Sequence, residues 1–148
     1  MHVSLRRGPL DVWQELAHHE QRVPSETGGH GATSVFVGTV RDFNEGATVT
    51  RLFLEHYPGM TERHLERICL EAAARWCIVD ALVVHRVGEL RAGESIVLVA
   101  VWAAHRASAF EACRYLIEQL KSRAPFWKRE TLVGAAQQQR WLDQNTPE

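Results

Sequence analysis

Ser95-Ile96-Val97-Leu98-Val99-Ala100-Val101-Trp102-Ala103-Ala104 runs for ten residues without a charge, with Gly93-Glu94 before it and His105-Arg106 after it. A run of this length, rich in β-branched residues and lacking polar alternation, reads as a central strand covered on both faces. Beyond His105-Arg106 the pattern turns helical. Ser108 with Glu111 three residues on has the form of a capping box, and Phe110, Cys113, Leu116 or Ile117, and Leu120 supply a helical stripe to about Lys121. Pro125 stops that helix, because proline lacks the N–H and clashes with the preceding turn.

Working outward, residues 78–87 read as a second strand, with 88–93 as the connection between the two. Residues 33–41 and 48–57 are rich in β-branched and aromatic side chains around Asp42-Phe43-Asn44-Glu45-Gly46, a hairpin signal that places Arg41 at a strand end. Between these units, Pro58-Gly59 precedes a helix from about Thr61 to Cys77 with Leu65, Ile68, Ala72, Ala73 and Trp76 on its apolar face. Residues 126–133 suggest a last strand. At the other end, 2–6 suggest an edge strand and 9–20 a short helix whose apolar side carries Leu10, Val12, Trp13, Leu16 and Ala17, with His18-His19 on its exposed surface. Residues 24–31 are a glycine-rich loop; with no Lys-Ser/Thr after the glycines it is not a phosphate-binding P-loop. The expectation is a single α+β domain over 1–148, a mixed, largely antiparallel sheet with hairpins and two to three packed helices, ending in a polar tail from about 143.

Composition narrows the function. Apolar residues make up 45%, charged residues 24%, and the net charge is −1, which speaks against a general nucleic-acid or membrane binder. No run approaches 18 uninterrupted apolar residues, and no secretory leader opens the chain. Cys69, Cys77 and Cys113 are odd in number and without CxxC spacing, so they read as reduced core or near-core thiols of a cytoplasmic protein. The eight histidines form no HExxH and no Cys/His ligand set, and GxSxG is absent. No metal is expected.

Charge and lysine usage point to one segment. Residues 105–129 hold six Lys/Arg against two acids, on an otherwise acidic chain. Arginine occurs fifteen times and lysine twice, at Lys121 and Lys128, on either side of Ser122-Arg123-Ala124-Pro125-Phe126-Trp127. An ammonium loses its proton when desolvated or crowded by cations, whereas a guanidinium does not, so retained lysines are candidates for acid/base or nucleophilic work. Glu118 and Arg114 offer Lys121 a plain alternative as one link in a row of helix-face ion pairs. Trp127 could equally cover the Lys128 stem. His105 and Arg106 at a strand-to-helix junction, with Arg41 at another strand end, make a candidate rim for phosphate.

Several runs together resemble the MoaE family, the catalytic (large) subunits of molybdopterin synthase. They are Phe36-Val37-Gly38-Thr39-Val40-Arg41-Asp42 with Asn44-Glu45-Gly46, Leu54-Glu55-His56-Tyr57-Pro58-Gly59-Met60, His85-Arg86-Val87-Gly88-Glu89-Leu90, Ala104-His105-Arg106, Phe110-Glu111-Ala112, and Leu120-Lys121 through Pro125-Phe126-Trp127-Lys128-Arg129-Glu130. The resemblance covers about residues 30–130. It implies an α/β-hammerhead-like fold and a homodimer with a ubiquitin-like sulfur carrier at each end, a heterotetramer in all. The carrier's C-terminal Gly-Gly thiocarboxylate would supply two sulfurs to cyclic pyranopterin monophosphate, with no further cofactor. It implies Lys121 and Lys128 as catalytic residues and Arg41, His105, Arg106 and Phe36 as substrate-binding ones. The family's C-terminal arginine would fall to Arg140 of Arg140-Trp141, since no basic residue lies beyond that pair. On this reading Lys121 takes proton transfer or transient covalent attachment, and Lys128 holds thiocarboxylate or phosphate. Two other readings stand beside it: a non-catalytic scaffold for a ubiquitin-like partner, and an unrelated phosphate-ester enzyme.

Overall fold

The structure, a computed structural model, describes residues 1–23, 29–44, 47–132 and 139–142. The chain runs β1 (His2–Arg6), α1 (Val12–Glu20), β2 (Ala32–Thr39), β3 (Phe43–Asn44), β4 (Ala47–His56), α2 (Met60–Arg75), β5 (Ile78–Arg86), β6 (Gly88–Arg91), β7 (Ser95–Ala103), α3 (Arg106–Arg123), β8 (Phe126–Leu132) and β9 (Gln139–Leu142). This is the α+β arrangement expected, with mixed, largely antiparallel pairing and three helices packed on it.

The first sheet has the order β1-β5-β7-β2. β7 lies inside it, antiparallel to β5 with Val83 opposite Val99 and to β2 with Phe36 opposite Val99, while β1 joins the far edge parallel to β5. Alternation along β7 then fills two cores. Val97, Val99 and Val101 pack with Leu65, Ile68 and Ala72 of α2 and Ala112, Cys113, Leu116 and Leu120 of α3. Leu98, Ala100 and Trp102 pack on the other face with Leu10, Val12 and Val23 around α1. Both faces are covered, which is why the strand carries no polar alternation.

The second sheet runs β3-β4-β8-β9, with β6 also paired to β4. Its core is Val40, Leu52, Leu54 and Leu90, and Phe126 touches both this core and the α2–α3 core. Gly88 links β5 to β6 with φ +81, a left-handed turn that lets the chain leave one sheet and enter the other at once.

Several expectations are corrected. The runs at 33–41 and 48–57 do not pair with each other: β2 lies in the first sheet against β7, and β4 in the second against β8 and β6. Phe36 and Val37 explain this, since they pack into opposite cores and require a strand buried on both faces. The turn signal is used instead by the short β3–β4 pair, Asn44 opposite Ala47. The connection 88–93 contains β6. α3 begins at Arg106 with His105 as its N-cap, so Ser108 falls inside the first turn and caps nothing. Phe110 and Trp13 are exposed, because Ala109, Ala112 and Cys113, and Val12, face the cores in their place. Cys77 is exposed in the link after α2, whereas Cys69 and Cys113 are buried. His19 is buried too, its Nε2 2.9 Å from Asp80 Oδ2. The polar tail from 143 and most of the glycine-rich loop lie outside the described residues.

Candidate active site

Pro125 separates the two lysines onto different elements. Lys121 is in the last turn of α3 and exposed; Lys128 is on β8, opposite Leu54 of β4, and half-buried. The chain folds back far enough for the charge of Lys121 to act on the Lys128 amine. Burial first, and then the Lys121 ammonium, hold the Lys128 amine below its ordinary value, while Glu130 pulls it part of the way back. Phe126, Lys128 and Glu130 alternate along β8 and share a face. Glu130 is buried on that face.

Behind Lys128 stands His85, at the end of β5 and opposite Val97. Its ring lies against Phe126, with centroids 4.3 Å apart and planes at 16°. Its Nδ1 donates to the Arg86 carbonyl at 2.7 Å. Burial pushes the imidazole down to about 4; the Arg86 carbonyl opposes this and the charge of Lys128 adds to it. Neither His85 nor Glu130 stands out in the sequence as a site residue. A signal exists all the same: each is a polar residue on a strand position whose neighbours two away are apolar or catalytic candidates.

Arg41 comes just after β2, where Thr39 pairs with Ser95, so it belongs to the end of β7 at which Val97 and His85 also lie. It is exposed. Phe36 is partly buried against the α2–α3 core. His105 and Arg106, both exposed, are at the opposite end of α3. Fifteen residues separate Arg106 from Lys121, about 22 Å at a helical rise of ~1.5 Å. One chain therefore does not bring all the predicted residues together. Gly31 crowds the His105 end: its N–H donates to the Ala103 carbonyl at 3.0 Å, and a Cβ there would lie 2.4 Å from the Ala104 oxygen. Arg140 is on β9, opposite Glu130, and its side chain lies outside the described residues.

A desolvated amine within electrostatic reach of a second amine, with Arg41 at the same sheet end, suits chemistry on anions. The family model described as MoaE protein matches residues 6–123. The chain belongs to the MoaE family. A molybdopterin synthase catalytic subunit from Ralstonia nicotianae is 54% identical over 113 residues, 76% of this chain and 62% of that one. Another, from Pseudomonas aeruginosa, is 46% identical over 144 residues, 97% of this chain and 91% of that one. The crystal structure of molybdopterin synthase from Staphylococcus aureus superposes with a TM-score of 0.80 at 30% identity, covering 93% of this chain and 94% of that chain. The MoaE match runs from the last residue of β1 to the end of α3 and so includes Arg41, His85, His105, Arg106 and Lys121; Lys128 lies five residues past its end, within the stretch aligned to the Pseudomonas relative.

Proposed function

We propose that this chain is the catalytic subunit of a molybdopterin synthase, a cytoplasmic sulfurtransferase. It takes two sulfurs from the C-terminal thiocarboxylate of a ubiquitin-like carrier and places them on cyclic pyranopterin monophosphate, opening the cyclic phosphate and leaving the dithiolene of molybdopterin. Each transfer leaves the carrier as a carboxylate, with water supplying the oxygen. No cofactor is called for, since the pterin is substrate and the carrier supplies the sulfur. The name of the two sequence relatives, catalytic subunit, presupposes a further subunit. The observation that carries the reading is the meeting of the chain's two lysines, one desolvated and one exposed.

Burial favours a division of roles opposite to the one expected from the sequence. Lys128, with its amine held below the ordinary range, is suited to proton transfer, because an acid/base group works best with a pKa near the working pH. Lys121, exposed and close by, is suited to hold the thiocarboxylate or phosphate. Arg41 at the same end adds a fixed charge for the anion. Phe36, and Arg140 from β9, complete the expected substrate-binding set. His105 and Arg106, about 22 Å away on α3, serve a site on a second copy, which makes the homodimer part of the mechanism.

The test is reconstitution of the chain with thiocarboxylated carrier and cyclic pterin phosphate, with the dithiolene product as readout. Product that depends on both substrates and is lost in K128R supports the proposal. Carrier binding with no turnover would make the chain a scaffold, and pterin phosphate binding that ignores the carrier would make it a different enzyme.

A further inference from the structure

β5 is apolar through Ala81, Leu82, Val83 and Val84, and then places an imidazole at His85 with 4% of its surface exposed. A phenylalanine there could stack on Phe126 equally well. The imidazole adds two nitrogens to a place shielded from solvent, and their states are fixed by what surrounds them. A carbonyl only accepts, so Nδ1, 2.7 Å from the Arg86 oxygen, carries the hydrogen. Burial and the nearby ammonium keep the ring neutral. Nε2 is then a bare lone pair. The ring is held flat on Phe126, and Lys128 is the next residue on that face of β8.

We propose that His85 is a positioning residue for Lys128, its Nε2 serving as the acceptor that fixes where the Lys128 amine points. This rests on Lys128 being the proton-transfer amine of the proposed sulfurtransferase. A neutral acceptor restrains the amine in either protonation state, whereas a carboxylate in that place would lock the proton on. The charged and titratable groups around the pair are Lys121 from α3, Glu130 from β8, His56 of β4 opposite Phe126, and Arg86 of β5, whose guanidinium is engaged by Glu94 at 2.8 Å.

Two lysines make the experiment direct, since lysine-labelled protein gives two side-chain resonance sets. In the full chain labelled with ¹³C-lysine and ¹⁵N-histidine, His85 is expected to keep the Nδ1–H tautomer from about pH 5 to about pH 10. Its Nε2 resonance should move with the same midpoint as the Lys128 Cε, and that step should vanish in K128M. An Nε2 resonance flat through the Lys128 transition overturns the proposal. The variants H85N and H85Q give a second readout. Asparagine can still donate to the Arg86 carbonyl but has nothing at the Nε2 position, and glutamine reaches that position. H85N should lower kcat by about tenfold or more with KM little changed and move the pH profile, while H85Q keeps most of the rate. H85N with the wild-type rate and pH profile overturns the proposal. The resonance measurement uses no substrate. Coupling of Nε2 to Lys128 in a protein that forms no dithiolene would leave the contact between the two side chains standing and sink the functional reading; turnover without coupling would do the reverse.

Discussion

Lys128 gives up its proton more readily than an exposed lysine because the charged form has lost solvent and faces a second cation. Arginine preserves charge but cannot pass through that change. K128R is therefore expected to lose product formation by about 10²- to 10⁴-fold in the reconstituted reaction, and K121R to retain a larger share of the rate. Equal losses would refute the division of roles. His85 carries a stability prediction whose sign comes from the same physics. Its folded value, about 4, lies below the 6.5 of the unfolded chain, so the unfolded state takes up the proton first as the pH falls. The stability contributed by neutral His85 is complete above pH 6.5 and is lost progressively down to about pH 4, a difference of about 3 kcal/mol. Urea midpoints of the wild type should fall across that window, and those of H85Q should fall less.

The central strand β7 is legible in the sequence because its run is long and lacks alternation, and its partners β5 and β2 are legible as strands. Leu98→Ala, in a fully buried position, is expected to cost about 2–5 kcal/mol by chemical denaturation. Pairing is less legible than strand identity. Two runs separated by a turn signal resemble a hairpin, yet β2 and β4 are divided between sheets by partners far away in sequence. β6 escapes notice because four residues carry too little pattern. The start of α3 is not legible because Ser108 and Glu111 have the spacing of a capping box, whereas the end of β7 at Ala103 sets the helix off earlier, at Arg106. His19 reads as surface because its partner, Asp80, is 61 residues distant. At the junction of β7 and α3, Gly31→Ala sets a methyl against the backbone oxygen of Ala104. The variant should lower the unfolding midpoint and depress activity through His105 and Arg106, measurable as a raised KM for the pterin phosphate.

Of the candidate site, the lysines are legible from composition, and Arg41, His105 and Arg106 from their places at element ends. What sequence could not supply was distance, because α3 holds its two ends about 22 Å apart. That separation predicts complementation. Neither K128R nor R106A should be active alone, but mixed dimers assembled from both should regain activity, since one of their two sites then has an intact lysine pair and an intact arginine. Sedimentation of the unmixed protein should show the dimer. Lys121 and Lys128 are close in sequence but belong to different layers, the one held by the β7 core and the other by the β4–β8 ladder. Bringing the two lysines together thus requires the second sheet to close on the first. On refolding from denaturant, helical signal should return early, and the depressed Lys128 titration should return only with the slow, high-contact-order closure of the second sheet on the first.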